Sequence, residues 1–147
     1  MRIFLIFFLT FLNLTFFGQK PKQDFAYSIV FASCFQNDFV GLKVNDTTLI
    51  SSQKVSSDPI TGITQLSAYQ DKRAVWVVDE TDKKRFVLMT VGNNISIDVM
   101  LNGSSTKFYI NLKDGKIIFI DNCFVQELGK RKQKVTIKQF KETVLLF

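Results

Sequence analysis

The sequence has no histidine, so the side chain most often used as a general base, a zinc ligand or a near-neutral pH switch is missing. It has only two cysteines, Cys34 and Cys123, too few for a tetrahedral zinc site without histidine. Neither cysteine belongs to a Cys-x-x-Cys pair that would favour a reactive thiolate. No Gly-rich phosphate loop and no Gly-x-Ser-x-Gly elbow occur. We therefore expect no cofactor, no metal and no catalytic residues, and a protein that is not an enzyme; a small hydrolase working through paired carboxylates is a weaker reading. Beyond residue 17 no apolar run approaches the roughly 20 residues of a bilayer span, so no transmembrane span is expected in the mature chain.

What is present is unevenly distributed. Phe4, Phe7, Phe8, Phe11, Phe16 and Phe17 place six of the 16 phenylalanines in the first 17 residues. Arg2 precedes an apolar stretch from Ile3 to Phe17, softened by Thr10, Asn13 and Thr15, which has the profile of a secretory signal peptide. Gly18 is a suitable small residue before a cut, although Phe16 stands where a small one is preferred. The chain thus divides into residues 1–18, a signal peptide, and residues 19–147, one domain; a retained N-terminal anchor is the alternative. The expected location is secreted, periplasmic or cell-surface. Nineteen Lys and Arg against 13 Asp and Glu give a net charge of +6, and losing Arg2 with the signal leaves the domain basic.

In an oxidising compartment the two cysteines predict one disulfide, Cys34–Cys123, with two buried free thiols as the alternative. Such a bridge brings the end of the first strand beside the chain near residue 123, because its Cα atoms must lie within about 7 Å.

Strand patterns dominate the domain. From Ile95 to Ile120 apolar residues alternate, punctuated by Asn102-Gly103 and Asp114-Gly115, and the stretch reads as a three-stranded meander. Phe25 to Ser33 is apolar on both faces and reads as a central strand. Val40, Leu42 and Val44 form the next alternation, turned by Asn45-Asp46 into Thr48–Ser51, and residues 51–62 read as the longest loop or a poorly regular edge. Ile63 to Gln70 resumes the strands. Residues 74–79 and 85–91 flank a charged hairpin tip, and Lys134 to Phe140 precedes an apolar tail, Val144 to Phe147. Without any sustained helical period, the fold predicted is all-β: a small antiparallel β-sandwich, immunoglobulin-like or jelly-roll-like, with a closed barrel or a trefoil as alternatives.

The sharpest local feature is the basic cluster Lys130, Arg131, Lys132, Lys134, Lys138 and Lys141, a candidate partner surface for an anionic group or an edge guarded by charge. Tyr109 falls on the polar side of its strand with Lys107 and Asn111, a candidate exposed aromatic. Trp76, flanked by valines, reads as core. Asp79, Glu80 and Asp82 read as a solvated turn rather than a calcium loop, because the spacing and glycine of such a loop are lacking. No base-reading motif or interleaved stacking aromatics accompany the charges, so nucleic acid is not expected as a partner. The expectation is an exported, non-enzymatic binding or interaction module recognising a protein or an anionic glycan; the alternative is a structural or accessory subunit assembling through its C-terminal edge strand.

Export and pairing are checked together by intact mass. Protein from the exported fraction is expected to begin near Gln19 and to take up a thiol alkylator only after reduction. A full-length mass with two freely alkylated thiols would sink both expectations.

Overall fold

Alternation of apolar and polar side chains dictates extended chain, and every regular element among the described residues is a strand. The computed structural model describes residues 25–71, 74–86 and 92–141. In chain order the strands are β1 (Tyr27–Phe31), β2 (Asp38–Val44), β3 (Thr47–Val55), β4 (Ser67–Gln70), β5 (Val75–Val78), β6 (Lys83–Phe86), β7 (Asn94–Leu101), β8 (Ser104–Asn111), β9 (Ile117–Asp121), β10 (Phe124–Glu127), β11 (Lys130–Gln133) and β12 (Thr136–Phe140). Residues 1–18, expected from sequence to be a signal peptide, and the tail Val144–Phe147 lie outside the described residues.

The strands form a small β-sandwich. One sheet has the order β12-β9-β1-β4-β5-β6, the other β3-β2-β7-β8, and β10 and β11 make a separate two-stranded ribbon. The inner face of the six-stranded sheet contributes Tyr27, Ile29, Phe31, Val75, Ile118 and Ile120 to a single core; the four-stranded sheet answers with Val40, Leu42, Val44, Ile97 and Val99. Each such aliphatic side chain, withdrawn from water, supplies about 1.5–3 kcal/mol, and this burial is what holds the two sheets face to face. The Tyr27 hydroxyl goes into the core with its ring, has no hydrogen-bond partner among the described residues, and burial pushes its ionisation well above the ordinary phenol range.

Three two-residue turns carry positive φ at both central positions, the geometry that matches the twist of a hairpin. They are Asn45-Asp46 (47° and 62°), Asn102-Gly103 (48° and 86°) and Leu128-Gly129 (50° and 76°). The first two are the turns that the sequence predicts.

Three features depart from the sequence reading. The Ile95–Ile120 stretch is not one meander: β7 and β8 pair in the four-stranded sheet, while β9 crosses to the six-stranded sheet. Gly115 is not among the positive-φ residues, so Asp114-Gly115 does not make the tight hairpin turn its composition suggests. Of the two readings open for residues 51–55, loop or irregular edge, the structure shows the edge: they continue β3, since a strand paired on one side needs no apolar alternation to stay extended.

The third departure is a parallel pairing in an otherwise antiparallel fold. β9 lies beside β1 in parallel, with Ser28 opposite Ile117 and Phe31 opposite Ile120. The register runs on past the strand ends through Ala32 N–H to Ile120 O (2.8 Å) and Asn122 N–H to Ser33 O (3.0 Å). Side-by-side parallel strands end at the same place, so Cys34 and Cys123 meet there as a disulfide with Cα atoms 5.0 Å apart.

That bridge closes a separation of 89 residues. Replacing both cysteines, Cys34→Ala with Cys123→Ala, is expected to lower unfolding free energy by about 2–5 kcal/mol in urea titrations. A loss below about 1 kcal/mol would mean that the β1–β9 pairing holds without its staple.

Candidate functional site

At the end of the sandwich opposite the disulfide, where β1 and β9 begin and β12 ends, the chain leaves an open cleft of about 710 Å³. Its construction starts with Gly115. A Cβ placed there would lie 2.8 Å from the backbone of Phe140, so only glycine lets the β8–β9 connection pack this closely against the end of β12. Gln139 fixes the contact, its side-chain amide donating to Asn111 O and Gly115 O, each at 3.0 Å. Lys116 O accepts from Ser28 N–H at 2.8 Å, and Leu112 N–H donates to Asn93 O at 2.7 Å, tying the connection to β1 and to the entry of β7.

This close approach gathers Lys113, Lys116 and Lys141 around one cleft, with Ala26, Gly92, Asn93 and Leu112 completing the described lining. All three lysines are exposed, and none has a carboxylate within ion-pair distance among the described residues. The described lining includes neither a carboxylate nor a serine, threonine or cysteine. The arrangement is suited to holding an anionic group by charge-assisted hydrogen bonds.

The basic cluster singled out in the sequence is not one surface. Lys141 lines the cleft. Lys130 and Lys132, with Arg131 between them in sequence, stand on a strand of the β10–β11 ribbon at the disulfide end, rather than on a turn. Lys134 falls between β11 and β12 and pairs with Glu127 at 2.6 Å, which holds the Glu127 carboxyl below its usual range. Lys138, midway along β12, stands 2.9 Å from the buried Asp121 carboxylate, whose other oxygen accepts from Ser33 N–H. Lys113 and Lys116 escaped the sequence reading because they flank a dipeptide taken for a hairpin turn; only the crossover brings them to Lys141.

Tyr109 is 82% exposed on the outer face of the four-stranded sheet, two residues from Lys107, which pairs with Asp46 at 3.1 Å. Trp76 is half-buried on the outer face of the six-stranded sheet rather than in the core. Its Nε1–H donates to Asp71 Oδ2 at 2.8 Å, and its ring lies beneath the Lys83 ammonium at 4.4 Å and within 5.9 Å of the Arg85 guanidinium. Two cations thus cover the outward aromatic surface. The register explains the change: Val75 and Val77 face the core, so Trp76 between them must face out.

The acidic turn is occupied by its own backbone. Asp79 Oδ1 accepts from the amides of Thr81 (2.8 Å) and Asp82 (2.7 Å), and Oδ2 accepts from Gln53 Nε2 at 2.8 Å. The Gln53 bond and then the two amides pull the Asp79 carboxyl down to about 2. Among the described residues no cluster of acidic or thiol side chains could hold a metal ion.

No family model, curated protein or solved structure matches the chain, so the reading of the cleft rests on its own geometry.

The close approach at Gly115 has a measurable cost if filled. Gly115→Ala is expected to lower stability by about 1–3 kcal/mol, since the neighbour that must move is backbone. Gly92→Ala, where an added Cβ meets nothing within 4 Å, serves as the control and is expected to change stability by under about 1 kcal/mol. Equal midpoints for the two variants in denaturant would contradict this account of how the cleft is built.

Proposed function

We propose that the protein is an exported, non-enzymatic binding module whose ligand is an acidic glycan, held through sulfate or carboxylate groups in the Lys113–Lys116–Lys141 cleft. One observation supports the reading above the others: three lysines from two segments, the β8–β9 connection and the end of β12, converge on a cleft of about 710 Å³ whose described lining contributes no negative charge. Several other cations are compensated locally, as at Lys107–Asp46, Lys134–Glu127 and Lys138–Asp121. Three unmatched ammonium groups repel one another, an arrangement whose cost is offset when an anion enters. Backbone anchoring of Lys116 through β1 fixes where the charge is presented, while the flexible side chains adapt to irregularly spaced anionic groups.

Heparin, which carries both sulfate and carboxylate, and polygalacturonate, which carries carboxylate alone, are the probes. Lys116→Glu with Lys141→Glu is expected to weaken heparin binding about tenfold or more at low salt, since each exposed pair is worth about 0.2–1 kcal/mol and reversal replaces attraction with repulsion. Wild-type binding is expected to fall as salt rises. Retention of heparin unchanged in the double variant would remove the cleft from the proposal, and polygalacturonate separates the need for sulfate from the need for charge.

A further inference from the structure

A two-residue hairpin turn of this kind calls for residues tolerant of positive φ, and at residues 102–103 the chain uses Asn-Gly. At the tip of the β10–β11 ribbon it uses Leu128-Gly129, with Leu128 held at φ 50°. Leucine adopts this left-handed conformation only under strain. Leu128 is also fully exposed, so no packing within the fold offsets that strain. Such an outlier on a projecting tip calls for a use outside the fold.

The charges behind the tip say what kind of use. Register places Val125, Glu127, Lys130 and Lys132 on one face of the ribbon. Glu127 is engaged by Lys134, which leaves Lys130 and Lys132 exposed with no ion-pair partner among the described residues. They stand one and three residues past Gly129, within about 10 Å of the tip at about 3.4 Å per residue. An apolar group leading and cations following over that depth matches the order of a bilayer surface, where hydrocarbon lies beneath a layer of phosphates. Phe124, at the base of the same ribbon, is about half exposed.

We propose that the β10–β11 hairpin is a membrane-contact element: Leu128 enters the headgroup boundary of a bilayer containing anionic lipid, and Lys130 and Lys132 take its phosphates. The contact is weak and reversible, because one apolar side chain and two or three cations fall short of a stable anchor. It is separate from the glycan cleft, which lies at the opposite end of the sandwich.

The test is cosedimentation of the protein from the exported fraction with vesicles of phosphatidylcholine, with and without phosphatidylglycerol. Wild type is expected to pellet with the phosphatidylglycerol vesicles and to be released by salt. Leu128→Asn, which suits the turn, is expected to keep the fold with a raised unfolding midpoint and to bind several-fold more weakly. Lys130→Glu with Lys132→Glu is expected to lose tenfold or more, whereas Lys116→Glu with Lys141→Glu binds vesicles as wild type does. Wild type left in the supernatant would overturn the proposal and give the hairpin to a protein partner; full binding by Leu128→Asn, or equal binding to both vesicle types, would overturn it as well.

Discussion

The structure depends on the parallel pairing of β1 with β9. These strands lie about 90 residues apart in sequence, and the described strands C-terminal to Ile117 are placed by their contact: β12 pairs with β9, and the β10–β11 ribbon leaves the chain directly after it. Contacts this distant must pay loop-closure entropy before they return any stability. The disulfide removes much of that cost, since it fixes in the unfolded chain the proximity that the pairing needs. The same end is then sealed with polar groups. Asp38, nearly buried, accepts from Asn102 Nδ2 at 2.8 Å, from Gln36 N–H at 2.9 Å and from Asn122 Nδ2 at 3.2 Å. Through Asp38 the β7–β8 turn of one sheet is tied to the end of β9 in the other.

Because β9 runs parallel to β1, its two ends send the basic residues in opposite directions. Its start brings Lys116 to the cleft beside the end of β12, and its finish launches the ribbon that carries Lys130 and Lys132. A cluster compact in sequence therefore becomes two groups at opposite poles, with Lys134 neutralised on the ribbon by Glu127 and Lys138 along β12 by Asp121. Had β9 followed β8 in a hairpin, as its sequence suggests, the Asp114-Gly115 connection would be an ordinary turn and no cleft would exist there.

Fold class, the disulfide and the central position of β1 were legible because each leaves a local trace: alternation, an even cysteine count, and apolar residues on both faces of one segment. Asn45-Asp46 and Asn102-Gly103 were legible for the same reason. The Asp114-Gly115 dipeptide misled because glycine answers two different needs. At Gly103 it supplies a positive φ, while at Gly115 it admits a neighbouring backbone, and nothing in the sequence distinguishes the two. The Leu128-Gly129 turn was invisible for the converse reason, as leucine is a poor turn residue. Trp76 was misplaced because a run of five apolar residues, Ala74 to Val78, conceals which parity faces inward, and the cations that cover its outer side come from β6. The cleft itself was not legible, since its lysines are joined only by a crossover between sheets.

The division between matched and unmatched charge is the structure's clearest statement about what it meets. Lys83 and Arg85 lie over aromatic faces, and Lys107, Lys134 and Lys138 each have a carboxylate. These contacts are short-ranged and internal, and they fall silent beyond a Debye length of about 8–10 Å. Lys113, Lys116 and Lys141 at one pole, and Lys130 and Lys132 at the other, are drawn together by the fold with no carboxylate at ion-pair distance among the described residues, although Glu127 offsets part of the Lys132 charge. Fields from like charges grouped on one surface add, so each pole attracts anions over a longer range than the paired lysines between them. Among the described residues the ribbon carries an exposed apolar tip and the cleft lining does not, and that difference is why the two proposals assign them different ligands: a polyanion at the cleft, and a charged surface with an apolar interior at the hairpin.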